Sequence, residues 1–135
     1  MYWDLTMDRP LADTASDLTA QVAQGSALLL DLRHLDHQTL GDAKLRRIVL
    51  ELFLDEAPQY ATNLRNAGDR KAWRMAVHTL KGVALNLGAF PLAWLCKDTE
   101  AMDLAAGSAS QQSAAQAIGA LIDDTATSIR TTLSA

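Results

Sequence analysis

The stretch between Asp69 and Gly88 constrains the fold of this chain more than any other part of the sequence. At about 100° per residue, its apolar residues fall within roughly 60° of Leu80 on a helical wheel: Trp73, Ala76, Val77, Leu80, Val83, Ala84 and Leu87. Asp69 is a suitable N-cap, and Gly88 can end the helix. The pattern therefore predicts an amphipathic helix over 70–87 whose apolar stripe faces a core.

A longer helix is predicted over 42–67, where Asp42 is a suitable N-cap. Its apolar residues also keep helical spacing and define a face expected to point into the core: Leu45, Ile48, Val49, Leu52, Phe53, Ala57, Tyr60 and Leu64. Pro58 lies inside this pattern and removes one backbone hydrogen bond. Because the periodicity continues past Pro58, we expect one helix that bends near Leu54–Pro58.

Three further segments complete the helical pattern. A short helix is expected over 31–39, closed by Gly41. Another opens at Phe90-Pro91, where proline is tolerated in the first turn, and continues to the break at Gly107-Ser108. Its predicted inner face consists of Leu92, Leu95, Cys96, Thr99 and Met102. The last helix covers about 110–133, with an inner face of Ala114, Ala117, Ile118, Leu121, Ile122, Ile129 and Leu133.

The composition favours an all-α fold. The 135-residue chain has only 7 glycines and 3 prolines and is 5% aromatic, which favours helices over sheet in a single domain. Four substantial helices with short links predict an antiparallel up-and-down four-helix bundle over 31–135. Residues 1–30 are expected to add an N-terminal segment, with loose helical spacing at Leu11, Ala15, Leu18 and Val22, packed across one end of the bundle.

Charge and cysteine content exclude several classes of function. The 12 basic and 16 acidic residues give a net charge of −4, so binding to nucleic acid or an anionic membrane has no electrostatic support. The single Cys96 excludes an internal disulfide and is compatible with a reducing compartment. Met1–Asp4 does not begin a signal sequence, and Leu28–Leu30 is too short to cross a bilayer. We therefore expect a soluble, cytoplasmic protein.

His78 lies on the polar side of the 70–87 helix, about 160° from Leu80 at the centre of the apolar stripe. A helical side chain leans toward the N-terminus, so the residue one turn later normally covers it. For His78 that residue is Gly82, and a glycine inside a helix costs about 1 kcal/mol relative to alanine. The pattern indicates an uncovered imidazole, with Gly82 leaving access for something large.

Cationic and apolar residues share the broad helix face around this histidine. Lys71, Arg74 and Lys81 give a local positive field in an acidic protein, which suits phosphate charge or an anionic partner. Met75 and Leu85 add apolar surface, and such a mixture is typical of a protein docking patch. The alternative interpretation is an ordinary solvated surface, on which lone histidines and scattered apolar residues are common.

His34 and His37 are candidate metal ligands, because His-x-x-His on a short helix beside Asp31 and Asp36 has suitable spacing. The local sequence has no further Cys or His to complete such a site, so no metal site is predicted. Cys96 falls on the inner stripe of its helix, where a free cysteine acts as a small hydrophobe.

The residues around His78 resemble a known family pattern. His78-Thr79-Leu80-Lys81-Gly82, followed by Ala84 and Leu87-Gly88-Ala89, is similar to the sequence around the phosphorylated histidine of histidine-containing phosphotransfer (HPt) domains. That pattern is His-x-x-Lys-Gly, then small residues and Leu-Gly-Ala. The resemblance covers about 31–133 and includes Leu52-Phe53-Leu54, Gly68-Asp69 and Leu95-Cys96 with Glu100. The sequence departs from the pattern at Val83, where the family has Ser or Ala, and at Thr99, where it has Leu.

The resemblance implies that His78 accepts a phosphoryl group from the aspartyl phosphate of a response-regulator receiver domain and passes it to the aspartate of another. It implies that Lys81 positions or neutralises the phosphate and that Gly82 clears the approach. Mg²⁺ and the catalytic carboxylates would belong to the receiver, so no cofactor is expected here. The expected partners are receiver domains and a hybrid sensor kinase, with this chain a monomer. An imidazole is largely neutral and nucleophilic near pH 7, and phosphoryl transfer needs mostly positioning and charge neutralisation.

Other functions fit the sequence less well. The chain lacks the glycine-rich segments of an ATP-binding domain, so we expect a phosphoryl carrier rather than an enzyme. The alternative hypothesis is a helical adaptor that binds a partner through the His78 face without being phosphorylated. A hydrolase would need a second catalytic group beside the histidine, and the sequence suggests none, since no acidic cluster lies near His78 along the chain.

Overall fold

The computed structural model describes residues 29–134, and within them it contains five α-helices and no β-strand. The helices are α1 (Leu32–Gln38), α2 (Ala43–Asn66), α3 (Arg70–Leu87), α4 (Phe90–Ala101) and α5 (Ala109–Ser134). The all-α prediction is confirmed for this part of the chain. Each of these helices is too short or too polar to span a membrane.

The local sequence sets most helix boundaries. Asp31, Asp42 and Asp69 each accept a hydrogen bond from a backbone N–H in the first turn of α1, α2 and α3, which satisfies a donor that the helix itself leaves unpaired. Gly88 ends α3 in the left-handed conformation, with φ of 87°, where a side chain would be strained. The predicted caps at Asp42 and Asp69 and the predicted end at Gly88 are confirmed.

The helices surround one apolar core. α3 packs against α2 and α4, α5 packs against the same two helices, and α1 lies against α2 and α3. The stripe predicted around Leu80 faces this core, with Ala76 and Val83 half-buried at its edge. The largest fully buried apolar side chains come from every helix: Leu35, Leu50, Trp73, Val77, Leu80, Leu87, Leu92, Ile118, Ile122 and Ile129.

α2 is one continuous helix with Pro58 inside it, as the uninterrupted periodicity predicts. The bend near Leu54–Pro58 stays a prediction. The predicted core face of this helix is only partly right, because Leu45, Ile48 and Leu52 are exposed. The apolar face of α2 is wider than the surface that α3 and α5 cover. The buried residues of α2 lie on the side of this face away from Leu45, Ile48 and Leu52: Leu50, Phe53, Ala57 and Leu64.

α4 ends at Ala101, several residues before the predicted break at Gly107. Met102 takes an extended backbone, with φ of −85° and ψ of 131°, and its N–H bonds back to the carbonyl of Thr99. Its side chain is exposed rather than inward-facing as predicted, because it no longer belongs to the helix. Ala117 on α5 is also exposed, against the prediction, since the buried face of α5 is centred on Ile118, Ile122 and Ile129.

The predictions for residues 1–28 lie outside the described residues. These include the helical spacing from Leu11 to Val22 and the packing of the segment across one end of the bundle. The division of the chain at residue 30 stays a prediction.

Candidate functional site

The outer face of α3 carries the candidate site. Asp69 begins this helix by accepting the backbone N–H of Ala72 at 2.7 Å. The buried side of α3 is occupied by the apolar stripe. His78, on the opposite side, has 72% of its side-chain surface exposed. The imidazole therefore stands in solvent at the middle of the helix, as its position on the helical wheel predicts.

A carboxylate from the neighbouring helix contacts one ring nitrogen of His78. Glu100 on α4 places Oε2 3.1 Å from Nδ1 of His78. An ionised carboxylate only accepts hydrogen bonds, so Nδ1 carries the proton and donates it. In that tautomer of the neutral ring, the lone pair lies on Nε2. The contact leaves Nε2 as the nucleophilic atom of the side chain.

Lys81 completes this cluster. Its Nζ donates to Oε1 of Glu100 at 2.7 Å and to Oε2 at 3.1 Å. Burial raises the pKa of the Glu100 carboxyl, but hydrogen bonds from Lys81 and His78 and the nearby positive charge outweigh that effect. The pKa of Glu100 is accordingly held below its ordinary value of 4.5, and the carboxylate is ionised near neutral pH. Lys81 lies next to the histidine with its charge paired to Glu100.

An open groove of about 500 Å³ borders the imidazole. Its lining is cationic on one side and includes one exposed methionine: Arg70, Lys71, Arg74, Met75, His78 and Glu100. Arg70 pairs with Asp103 at 2.9 Å, whereas Lys71 and Arg74 form no ion pair within residues 29–134. The groove thus presents uncompensated positive charge next to a nucleophilic ring, which suits an incoming phosphoryl group.

Gly82 lies one turn after His78, and a methyl group added there would meet no described atom within 4 Å. Packing within the described bundle therefore gives no reason for a glycine at this position. The absence of a side chain leaves space beside the ring for a second molecule. This geometry agrees with the access role predicted for Gly82.

The structure brings together most of the residues predicted for the site. His78, Lys81, Lys71, Arg74 and Met75 share one surface. Leu85 does not line the groove: it is half-buried against the core, and its carbonyl bonds to His34. The position of Leu85 therefore does not support its predicted role in partner binding.

Glu100 belongs to the site, although its sequence position predicts no role for it. It is the only sequence-distant group within hydrogen-bond distance of both His78 and Lys81 among the described residues. The pattern of α3 contains no signal for it, because the contact depends on how α4 packs beside α3. A single carboxylate does lie beside the histidine, although the local sequence contains no acidic cluster.

The remaining candidate residues have ordinary surroundings. Residues 29–134 contain no group of three or more His, Cys, Asp or Glu side chains arranged to hold a metal ion. His34 is half-buried and uses Nε2 to contact the Leu85 carbonyl at 2.9 Å. Cys96 is a buried free thiol whose pKa is raised to about 12, mainly by burial. That environment agrees with a small apolar role for Cys96.

Comparison with known proteins identifies the family. A family model described as Hpt domain matches residues 48–131, a range that contains the histidine, lysine, glycine and glutamate of the site. Searches of curated proteins and of solved structures found no match. Hpt domains in general are phosphocarrier modules that exchange phosphoryl groups with receiver domains in phosphorelays. On the evidence of a family match that covers more than half of its length, this chain belongs to the Hpt domain family.

Proposed function

We propose that this protein relays a phosphoryl group between the aspartates of response-regulator receiver domains, with His78 as the phosphorylated residue. The observation that carries the proposal is the contact between Nδ1 of an exposed ring and a carboxylate. Glu100 engages Nδ1 of His78, so that the lone pair lies on Nε2 beside an open cationic groove. A neutral imidazole held in this way is a nucleophile that needs no base to remove a proton before attack.

The transfer step balances with the groups at hand. The Nε2 lone pair forms a bond to phosphorus while the bond between phosphorus and the receiver's aspartyl oxygen breaks. The aspartate leaves as a carboxylate with the bonding electrons. The ring becomes a phosphorylated imidazolium that keeps its Nδ1 proton, and its positive charge lies 3.1 Å from the Glu100 carboxylate. Donation to a second receiver reverses these steps.

The cationic side chains neutralise the phosphoryl oxygens during transfer. Lys81 is held next to the ring by Glu100 and can exchange one of its two hydrogen bonds for a phosphoryl oxygen. Lys71 and Arg74 add positive charge along the approach, and Met75 offers apolar contact area to the partner. Mg²⁺ and the carboxylates that bind it belong, in this proposal, to the receiver.

The arrangement proposed for the whole chain follows the same family. Residues 31–135 form an antiparallel up-and-down four-helix bundle built from α2 to α5, and residues 1–30 are an added N-terminal segment. The protein acts in the cytoplasm as a monomer, without a cofactor of its own. Receiver domains, including that of a hybrid sensor kinase, are its partners.

The test is transfer of labelled phosphate from a phosphorylated receiver domain. Wild-type protein should take up label that is acid-labile and base-stable, as expected for phosphohistidine. His78→Gln should abolish labelling and retain helix content, because the side chain is exposed and makes one polar contact within residues 29–134. His37→Gln is the matched control, since it changes another exposed ring, on α1, and should keep labelling.

Two results would contradict the proposal. Labelling that survives in His78→Gln would place the phosphate elsewhere. Binding of the receiver without any labelling of wild-type protein would favour the alternative, a helical adaptor that uses the same face without phosphorylation.

A further inference from the structure

An apolar strip on α2 has no partner within the described bundle. Leu45, Ile48 and Leu52 are 40%, 52% and 54% exposed, and their spacing of three and four residues places them on one line along the helix. Single exposed leucines are ordinary, but a continuous strip of three large apolar residues marks a contact surface. We call these three residues the α2 strip.

The α2 strip faces the same side of the bundle as the groove between α2 and α3. At about 100° per residue, Leu52 and Asn63 lie within roughly 20° of each other on the α2 wheel. Asn63 lines a groove with Met75 and Thr79 of α3. The opposite flank of α2 is occupied by α5. A segment seated on the strip would therefore lie toward α3 and away from α5.

The chain enters the described bundle close to the start of this strip. Leu29 and Leu30 are buried in the core, and the N–H of Asp31 donates to the carbonyl of Gly88 at 2.8 Å. Asp36 of α1 pairs with Arg46 of α2 at 3.1 Å. The residues that precede Leu29 consequently leave from the end of the bundle where α2 begins.

The sequence that precedes Leu29 has the pattern of a matching partner for the strip. Its apolar residues recur at intervals of four, three and four positions, as on one face of a helix: Leu11, Ala15, Leu18 and Val22. Pro10 and Gly25 bracket this pattern with residues typical of a helix start and end. A helix from Leu11 to Val22 would be about 16 Å long, enough to cover the roughly 10 Å between Leu45 and Leu52.

Charge favours the same pairing. Residues 1–28 contain four aspartates and one arginine, a net charge of −3. At the start of α2, Arg46 pairs with Asp36 and Arg47 pairs with Glu51, and the first turn contains no acidic residue. Lys44 is exposed next to the strip and has no ion-pair partner within residues 29–134. An acidic apolar segment is thus attracted to Lys44 at the start of the strip.

We propose that residues 11–22 of this chain pack on the α2 strip and form an intramolecular cover for it. The cover buries Leu45, Ile48 and Leu52 against Leu11, Leu18 and Val22. It also extends the surface on the α2 side of the His78 helix, so that a partner approaching from that side meets the segment. The proposal concerns packing alone and does not depend on phosphotransfer.

Thiol reactivity in the full chain tests the cover. Ile48→Cys places a thiol on the strip, and Glu51→Cys places one on an exposed part of the same helix outside the strip. The native Cys96 is buried with its pKa raised to about 12, so it contributes little to the reaction with a chromogenic aromatic disulfide. Under the proposal, Ile48→Cys reacts at least about tenfold more slowly than Glu51→Cys, because the segment must first detach.

Charged substitutions in residues 11–22 test whether the apolar face of this segment is what protects the thiol at position 48. Leu11→Asp with Leu18→Asp should raise the Ile48→Cys rate to that of Glu51→Cys. Ser16→Asp with Ala20→Asp adds the same charge on the opposite side of the helical pattern and should leave the thiol protected. Oxidation of Leu18→Cys with Ile48→Cys should also give an intramolecular disulfide more readily than Leu18→Cys with Glu51→Cys.

Three outcomes would overturn the proposal. Equal reactivity at both positions would mean that the strip stays uncovered. Protection that increases with protein concentration would assign the strip to a second copy of the chain. Protection that arises only when a receiver domain is added would assign it to that partner.

Discussion

Two histidine–glycine pairs in this chain have opposite surroundings. His34 is half-buried, contacts the Leu85 carbonyl and lies edge-on to Phe90 with 5.0 Å between the ring centroids. A Cβ added to Gly88 would lie 3.5 Å from the His34 ring and 2.7 Å from the Asp31 carbonyl oxygen. The exposed ring of His78 touches one carboxylate, and a Cβ at Gly82 would meet no described atom within 4 Å.

The difference separates a histidine that packs helices together from one that is available to another molecule. The His34 pair holds α1 against the end of α3, so its atoms are occupied by contacts within the chain. The His78 pair keeps an open ring and an open position one turn later. Residue type alone does not distinguish the two histidines. The decisive evidence is that a Cβ at Gly88 would contact Asp31 and His34, whereas a Cβ at Gly82 would meet no described atom within 4 Å.

Gly88→Ala should have the largest effect on stability of the changes that test this comparison. A left-handed backbone costs an L-residue about 1–2 kcal/mol, and the contact with Asp31 would push α1 away from α3. We expect the free energy of unfolding to fall by about 2–4 kcal/mol, measured by urea denaturation. Gly41→Ala is the matched control, since Gly41 also has positive φ but open space for a Cβ. An equal loss of unfolding free energy in both variants would mean that the contact with Asp31 does not contribute to the effect at Gly88.

His34→Ala should have the next largest effect. It removes the hydrogen bond to the Leu85 carbonyl and the edge contact with Phe90, which together are worth about 1–3 kcal/mol. The control is His37→Ala, an exposed position on the same short helix, with an expected loss below about 0.5 kcal/mol. If the two variants unfold at the same urea concentration, His34 does not pack α1 against α3 in the way described.

The sequence predicts what depends on local chemistry. The bounds of α3, its cap at Asp69 and its end at Gly88 all follow from residues within a few positions of one another. The exposure of His78 follows from the same helix pattern. These predictions are confirmed because capping and amphipathic spacing act along one segment.

The parts that sequence could not predict depend on contacts between segments. Amphipathic spacing identifies an apolar arc on α2 but not how much of it other helices cover, so the prediction that Leu45, Ile48 and Leu52 face the core is wrong. Glu100 meets His78 across two helices, and nothing in either helix pattern specifies that meeting.

Gly82→Ala should stabilise the protein, in contrast to the change at Gly88. Alanine is favoured over glycine inside a helix by up to about 1 kcal/mol, and the structure has room for the methyl group. Gly82→Leu should slow phosphoryl exchange with a receiver, because its side chain would crowd the approach to the ring. Gly119→Leu on α5 provides the control for exchange, since that glycine also has open space but lies on another helix. A destabilised Gly82→Ala would assign Gly82 a structural role, as for Gly88.

The smallest expected effect is on the pH dependence of the free energy of unfolding. It tests whether Glu100 is ionised, which is the condition that places the His78 lone pair on Nε2. Burial raises the pKa of Glu100, but Lys81 and His78 lower it further than burial raises it. A depressed pKa in the folded state stabilises the fold above the ordinary value of 4.5, and this stabilisation is lost as the pH falls through the depressed value.

The difference in unfolding free energy between wild type and Glu100→Gln should therefore shrink as the pH falls below 4.5, by less than about 1 kcal/mol. Urea denaturation of both proteins over a pH series measures it. Lys81→Ala should reduce this dependence more than His78→Gln, because Lys81 makes the larger contribution to the lowered pKa. A difference that grows as the pH falls below 4.5 would mean that Glu100 is held protonated. A protonated carboxyl can donate to Nδ1, which would move the ring proton to Nε2 and remove the nucleophile from the exposed side of His78.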